Sequence, residues 1–266
     1  MAGLEAHYSA HDIEARILAA LRAAGLNPEE RLSPEDLGAL DHFHTGGFRA
    51  SLELMELARI RAEDRVLDIG AGLGGAARML AAARGGRVEC VEPSPDYCAG
   101  AELLNRLTGL QDRIAVHQSN ALDLPFPDAF FDVVWMQNVG MNIANKRRLY
   151  GEVFQVLKPG GRFAFQEMAA GNAPTSYFPL PWATDPSQSF LVSADEIRSV
   201  LGEVGFVAEL FEDVSEAHAS RTAEPGAPQR LSLGVFVDDL AQKAANARRS
   251  LEEGQIRLVR GVFRVK

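Results

Sequence analysis

The chain has 266 residues, of which 47% are hydrophobic and 24% charged, with a formal net charge of −9. That apolar share supports a full core in one α/β domain with an added cap, and the acidic balance argues against nucleic acid or anionic membrane as a partner. Cys90 and Cys98 are the two cysteines, too few for a disulfide scaffold and read as reduced, buried thiols.

In chain order, the first expected helix covers residues 12–24, with Ile13, Ile17, Leu18 and Leu21 on one face and Gly25 as its stop. Ser33 and Pro34 suit the cap and first residue of a short second helix. A third, over 47–60, turns Phe48, Leu52 and Met55 inward. Residues 1–60 are therefore expected to form a helical cap, with the remainder, 61–266, as the main domain.

From residue 65 short β-rich apolar runs recur at 66–69, 88–92, 113–118, 131–137, 162–168 and 206–211, with helical stretches at 75–84, 95–107 and 145–157 between them. Such alternation predicts a parallel sheet covered on both faces. The tail carries a helical stretch within 229–254 and a last strand over 255–265, expected to add antiparallel at one edge. Residues 169–192 form a long non-periodic insert with Tyr177, Phe178 and Trp182, the pattern of a lid or binding loop. No run approaches the roughly 18 apolar residues that span a bilayer. The N-terminus lacks a basic segment followed by an apolar stretch, so a cytoplasmic protein is expected.

The strongest local signal is Val66-Leu67-Asp68-Ile69-Gly70-Ala71-Gly72-Leu73-Gly74-Gly75. A strand runs into closely spaced glycines and then a helix, so a ligand can approach backbone N–H groups at the helix start. Glu92 ends the next strand, where a carboxylate can accept both hydroxyls of a ribose. Gly70, Gly72 and Gly75 also satisfy the dinucleotide pattern. Asp68 discriminates: a carboxylate at the loop's mouth repels a pyrophosphate but tolerates the zwitterionic methionine end and sulfonium of S-adenosylmethionine.

Together with Val91-Glu92-Pro93-Ser94, Asn120-Ala121-Leu122-Asp123-Leu124-Pro125-Phe126, Phe131-Asp132-Val133-Val134 and Leu157-Lys158-Pro159-Gly160-Gly161, the loop resembles the class I S-adenosylmethionine-dependent methyltransferases. The resemblance implies a Rossmann-like, seven-stranded, mostly parallel sheet with an antiparallel last strand and helices on both faces. It also implies a cofactor set of Asp68, Gly70, Gly72, Glu92, Pro93, Asn120, Ala121, Leu122 and Gln137, and no metal. Asn120 stands where the family usually has Asp, and an amide carbonyl can still bond the adenine amino group.

Within that family the chain looks most like small-molecule enzymes, including sarcosine/dimethylglycine and natural-product methyltransferases. Its segment Asp41-His42-Phe43-His44-Thr45-Gly46-Gly47 resembles one that precedes the glycine loop there. His44 could line the acceptor pocket, or both histidines could simply hold the cap. Asn142 stands where relatives often carry a histidine, which leaves Glu167, at the end of the fifth strand, as the carboxylate whose position faces the acceptor in relatives. It could act as a base, bind a cationic amine, or form a structural ion pair. The leading expectation is methyl transfer to N or O of a small metabolite or natural product. The second is C-methylation of an isoprenoid-like acceptor with Glu167 as base, and a third is a cofactor-binding protein without catalysis. A homodimer is left open.

Overall fold

A computed structural model describes residues 12–42, 44–174, 177–222, 231, 233–235 and 237–266. Residues 1–11 of the expected cap, Phe43 of the two-histidine segment, residues 175–176 of the insert and residues 229, 230, 232 and 236 of the tail lie outside the described residues.

The chain opens with α1 (Ile13–Ala23), α2 (Pro34–Leu37) and α3 (Gly47–Leu57). Ser33 caps α2 in a reciprocal box: its Oγ accepts from Asp36 N, and Asp36 accepts from Ser33 N at 2.8 Å. Strands and helices then alternate as β1 (Arg65–Ile69), α4 (Gly75–Arg84), β2 (Arg87–Glu92), α5 (Pro95–Leu107), β3 (Ile114–Gln118), β4 (Phe131–Gln137) and α6 (Lys146–Val156). They continue through β5 (Leu157–Ala170), α7 (Ala194–Val204), β6 (Phe206–Asp213), α8 (Ser215–Thr222), α9 (Leu240–Glu252) and β7 (Ile256–Val265).

The seven strands form one sheet in the order β3-β2-β1-β4-β5-β7-β6, with β7 antiparallel to both neighbours. Side chains alternate between its faces as the two-residue period requires. Leu67, Ile69, Val134, Met136, Phe163 and Phe165 pack with α6 and α7, whereas Val66, Val133, Trp135 and Ala164 pack with α3 and α4. A third cluster joins α1 and α2 to α5 through Ile17, Leu21, Leu37 and Leu104.

One expectation is corrected. The last strand is not at the edge but inserted between β5 and β6. β7 is buried along nearly its whole length, an arrangement that needs a neighbour on each side, whereas β6 exposes Val207 and carries Glu209, Glu212 and Asp213. Acidic side chains of this kind suit an unpaired edge. Among the described residues no helix is long and apolar enough to cross a membrane.

The insert is also more firmly tied down than a hinged flap. Leu180, Trp182 and Ala183 are buried against Met141, Met168, Ile256 and Leu258. Tyr177 bonds Glu253 at 2.8 Å and lies under the Arg249 guanidinium.

Candidate active site

The C-terminal ends of β1, β2 and β4 open on one cavity, as expected for the ligand edge of an open α/β sheet. After β1, Gly70 N and Ala71 N both donate to Val91 O, at 2.8 and 3.2 Å, which folds the glycine loop over β2. Gly70 has φ of 67°, and a Cβ there would lie 2.4 Å from a Val139 methyl, so the loop and the segment after β4 can only meet at a glycine. Gly72, at φ 56°, instead faces open space: nothing lies within 4 Å of where its Cβ would be.

Glu92 reaches across from β2. Its Oε2 accepts from Gly72 N at 2.9 Å and its Oε1 from Ser94 N at 3.0 Å. Burial pushes its carboxyl up to about 7, against the pull of those two N–H groups. Asp68 lies deeper, and its Oδ2 has no partner among the described residues. Burial, and secondly the nearby Glu92 charge, push it up to about 8 despite the Arg78 guanidinium. Asn120 uses its Oδ1 to accept from Leu122 N at 2.9 Å, a turn that leaves Asn120 and Ala121 on the cavity wall. Pro93 lines the cavity as well, while Leu122 packs into the core behind it.

The segment between α2 and α3 closes the cavity's other side with Leu40, Asp41 and His44. Arg78, fully buried on α4, holds it there: its guanidinium pairs with Asp41 Oδ2 at 2.9 Å, donates to Asn105 Oδ1 at 2.8 Å and bonds the Leu73 carbonyl of the glycine loop. The Asp41 carbonyl sits 2.1 Å from where a Cβ on Gly75 would be, so only glycine admits this contact.

His44 joins a closed ring of hydrogen bonds. Ser51 Oγ donates to Gln137 Oε1 at 2.9 Å, so its oxygen accepts from His44 Nε2–H, also at 2.9 Å. Gln137 Nε2, 3.5 Å from His44 Nδ1, returns a proton donor to the ring, and Trp135 Nε1 donates to Gln137 Oε1 at 3.0 Å. Ser51 and Gln137 suit a neutral imidazole protonated at Nε2, and Thr45 O, 3.4 Å from Nδ1, is an acceptor for a proton on the other nitrogen. Burial drives His44 down to about 3, with His42 adding to the shift, and burial followed by the Arg78 charge drives His42 down to about 4.

Beyond β4, Asn138, Val139, Asn142 and Ile143 complete the wall. Glu167 does not line the cavity. Its Oε1 accepts from Val139 N at 2.9 Å and Gly140 N at 2.8 Å, and burial pushes its carboxyl up to about 7. Lys146 secures the same loop by donating to Gly140 O and Phe190 O, each at 2.7 Å. No described residue of the 169–192 insert lines the cavity; Trp182 touches the loop from outside, its carbonyl accepting from Asn142 Nδ2 at 2.7 Å.

The structure thus brings Asp68, Gly70, Gly72, Glu92, Pro93, Asn120, Ala121, Gln137 and His44 to one cavity, and leaves Leu122 and Glu167 behind its wall. Sequence reasoning missed Arg78, Ser51 and Asn138. Arg78 had a signal, since it is the one charged residue in the apolar helical run 75–83, where a buried cation needs a partner.

Residues 67–165 match the family model described as a methyltransferase domain. The chain is 33% identical over 154 residues to the sarcosine/dimethylglycine N-methyltransferase of Aphanothece halophytica, covering 58% of this chain and 52% of that one. It is 30% identical over 174 residues to the 27-O-demethylrifamycin SV methyltransferase of Amycolatopsis mediterranei (strain S699), covering 63% of each. The chain therefore spans less than two thirds of the length of these curated relatives. Among solved structures, a geranyl diphosphate C-methyltransferase from Streptomyces coelicolor A3(2) superposes with a TM-score of 0.68 at 18% identity, covering 98% of this chain and 95% of that one. At that identity the likeness establishes the fold.

Proposed function

For a chain that carries a methyltransferase domain, we propose that the cavity binds S-adenosylmethionine and that the protein transfers its methyl group to N or O of a small-molecule acceptor. The observation that carries this reading is the pair of buried carboxylates beside an open glycine loop: Glu92 on Gly72 N, and Asp68 with an unpartnered Oδ2. Two buried acids pushed toward neutrality are a poor site for a pyrophosphate and a good one for a ligand that brings its own positive charge.

The residues fit the cofactor. Glu92 can exchange its two backbone N–H partners for ribose hydroxyls, Asn120 and Ala121 flank the adenine side, and Asp68 with the Gly70–Gly72 backbone serves the methionine end. When bound, S-adenosylmethionine supplies a methyl group already activated by its sulfonium. What the chain adds is orientation and exclusion of water. The helices before residue 60 act as the cap, with Asp41 and His44 bearing on the cavity.

His44, locked neutral between Ser51 and Gln137, serves as a fixed wall and hydrogen-bond relay rather than as a base. Glu167 orders the loop after β4 through Val139 and Gly140, which favours N- or O-methylation over the C-methylation that would need it as a base. The family relatives named for sarcosine, dimethylglycine and a rifamycin agree in using small acceptors. An acidic chain of net charge −9 suits a cytoplasmic protein without nucleic-acid partners.

Calorimetry of the purified protein with S-adenosylmethionine, S-adenosylhomocysteine and NAD tests the cofactor. Micromolar binding of the first two without NAD supports the reading, and tight NAD binding alone overturns it.

A further inference from the structure

Gln137 ends β4 and lines the cavity, and its amide is held by partners that dictate which end faces where. Trp135, two residues earlier on the same strand and so on the same face of the sheet, places its Nε1 3.0 Å from Gln137 Oε1. An indole N–H can only donate, so the atom opposite it is the amide oxygen. Ser51 of α3 donates to the same oxygen at 2.9 Å. Trp135 and Ser51 are both fully buried, which turns the oxygen end of the amide toward the protein interior. The nitrogen end points the other way, toward His44, which is half-buried and lines the cavity with Gln137. Nε2 carries two hydrogens, of which His44 Nδ1, at 3.5 Å, can take one. Flipping the amide would set its NH2 group against the Trp135 N–H, donor against donor.

The position of this donor along the sheet indicates what it meets. β1 and β4 run parallel with Asp68 opposite Trp135, so Asp68 and Gln137 project from the same face of adjacent strands, one side-chain repeat apart. Both line the cavity. Their chemistry is opposite: Asp68 is an acid close to a second acid, Glu92, whereas Gln137 presents a donor. A ligand end that carries an ammonium and a carboxylate on one carbon fits this pair, its ammonium toward Asp68 and its carboxylate toward Gln137 Nε2. With two acids in the same cavity, a ligand carboxylate is repelled unless a donor is fixed where it lies. A freely turning amide offers oxygen there as readily as nitrogen. Held by Trp135 and Ser51, it offers the nitrogen.

We propose that Gln137 Nε2 donates to the carboxylate of the cofactor's methionine end, and that Ser51 and Trp135 are positioning residues that fix the amide for that contact. This inference rests on the methyltransferase reading above and deepens it. It makes cofactor affinity depend on a fully buried residue of α3, because Ser51 acts on the ligand through Gln137. Docking of α3 on the sheet and binding of the methionine end are thereby coupled through one hydrogen bond.

The test compares S-adenosylhomocysteine with 5′-methylthioadenosine, which keeps the adenosine and the sulfur and lacks both the carboxylate and the ammonium. Affinities are read by calorimetry at pH 8.5. Gln137→Glu keeps an acceptor oxygen for Trp135 and Ser51 and replaces the amide nitrogen with a second oxygen, so the interior contacts persist and the donor is lost. It should weaken S-adenosylhomocysteine by about 30-fold or more and change 5′-methylthioadenosine by less than about threefold. Ser51→Ala, which adds no charge, should weaken S-adenosylhomocysteine by about 3- to 10-fold and leave 5′-methylthioadenosine within about twofold. Unchanged S-adenosylhomocysteine affinity in Gln137→Glu overturns the proposal, and unchanged affinity in Ser51→Ala overturns the positioning role. Equal weakening of both ligands by either variant also overturns it, since a purely structural role predicts that result. Failure of the native protein to bind either ligand would instead count against the methyltransferase reading.

Discussion

Replacing Glu167 with glutamine separates a loop clamp from a catalytic base. In the native protein one carboxylate oxygen takes both Val139 N and Gly140 N, at 2.9 and 2.8 Å, and the other is buried without a partner. The amide oxygen of glutamine can keep both N–H bonds, but as a neutral acceptor each weakens by about 1 kcal/mol. The amide nitrogen then stands where Oε2 was, and its unpaired donors cost a further ~1–3 kcal/mol. Removing a buried charge offsets part of this, since burial already pushes the carboxyl up to about 7. The net expectation is a loss of about 1–3 kcal/mol, a fall in Tm of roughly 3–10 °C for a chain of this length. Turnover per folded molecule should stay within about 10-fold of native, because the side chain does not border the cavity. Thermal denaturation, calorimetry with S-adenosylhomocysteine and initial rates are measured on the same preparation. A fall in kcat of about 100-fold or more, with Tm and cofactor affinity unchanged, refutes the clamp and makes Glu167 a base.

Three further outcomes are expected. Glu92→Ala should weaken S-adenosylhomocysteine binding by about 2–4 kcal/mol by calorimetry, since two hydroxyls lose a charged acceptor; affinity within twofold of native would remove Glu92 from the cofactor site. Arg78→Leu leaves Asp41 buried without its counter-charge and should cost about 3–5 kcal/mol of stability, seen as a Tm lower by roughly 10 °C, and a Tm within a degree of native would show that the cap does not depend on this pair. Asp68, Glu92 and Glu167 are raised to about 8, 7 and 7, so the folded ligand-free protein holds protons that the unfolded chain releases at lower pH. Their contribution is fully present below the ordinary carboxylate range and is lost as pH rises through about 7 to 8. His42 and His44, neutral in the fold, oppose this trend until the unfolded chain's histidines lose their protons near pH 6.5, so melting curves should shift down between about pH 6.5 and pH 8.5, and a rising Tm over that interval would contradict the assignment.

The parts of this molecule legible in its sequence are those where one residue's chemistry is dictated locally. The glycine loop could be read because left-handed backbone and close approach require glycine at Gly70, and Glu92 because a strand end fixes where its carboxylate lies. The strands were legible from their apolar runs, and α4 and α5 from Gly75 and Pro95 at their starts. What failed depended on pairing across the chain. The place of β7 follows from register with β5 and β6, more than 40 residues away; the acidic residues of β6 mark it as an edge but do not say which strand it pairs with. The insert reads as a lid or binding loop, yet Trp182 anchors it to the body in a cluster with Met141, Met168 and β7.

Glu167 shows the same boundary from the other side. Its strand and its height along the sheet were predictable, and they do bring it to the ligand edge. Its rotamer was not, because two backbone N–H groups freed by the turn after β4 compete for the carboxylate and win. Arg78 was passed over for the converse reason: one charge in an apolar helical run signals burial, but its partner Asp41 lies 37 residues earlier and is known only once the chain folds. These two ionic residues lie outside the chemistry and hold its two walls, Glu167 the loop of Asn138 and Arg78 the cap of His44. Under the proposed reading the rate comes from how rigidly those walls align the acceptor with the methyl donor, and Glu167→Gln, which keeps both backbone N–H bonds, costs stability rather than turnover.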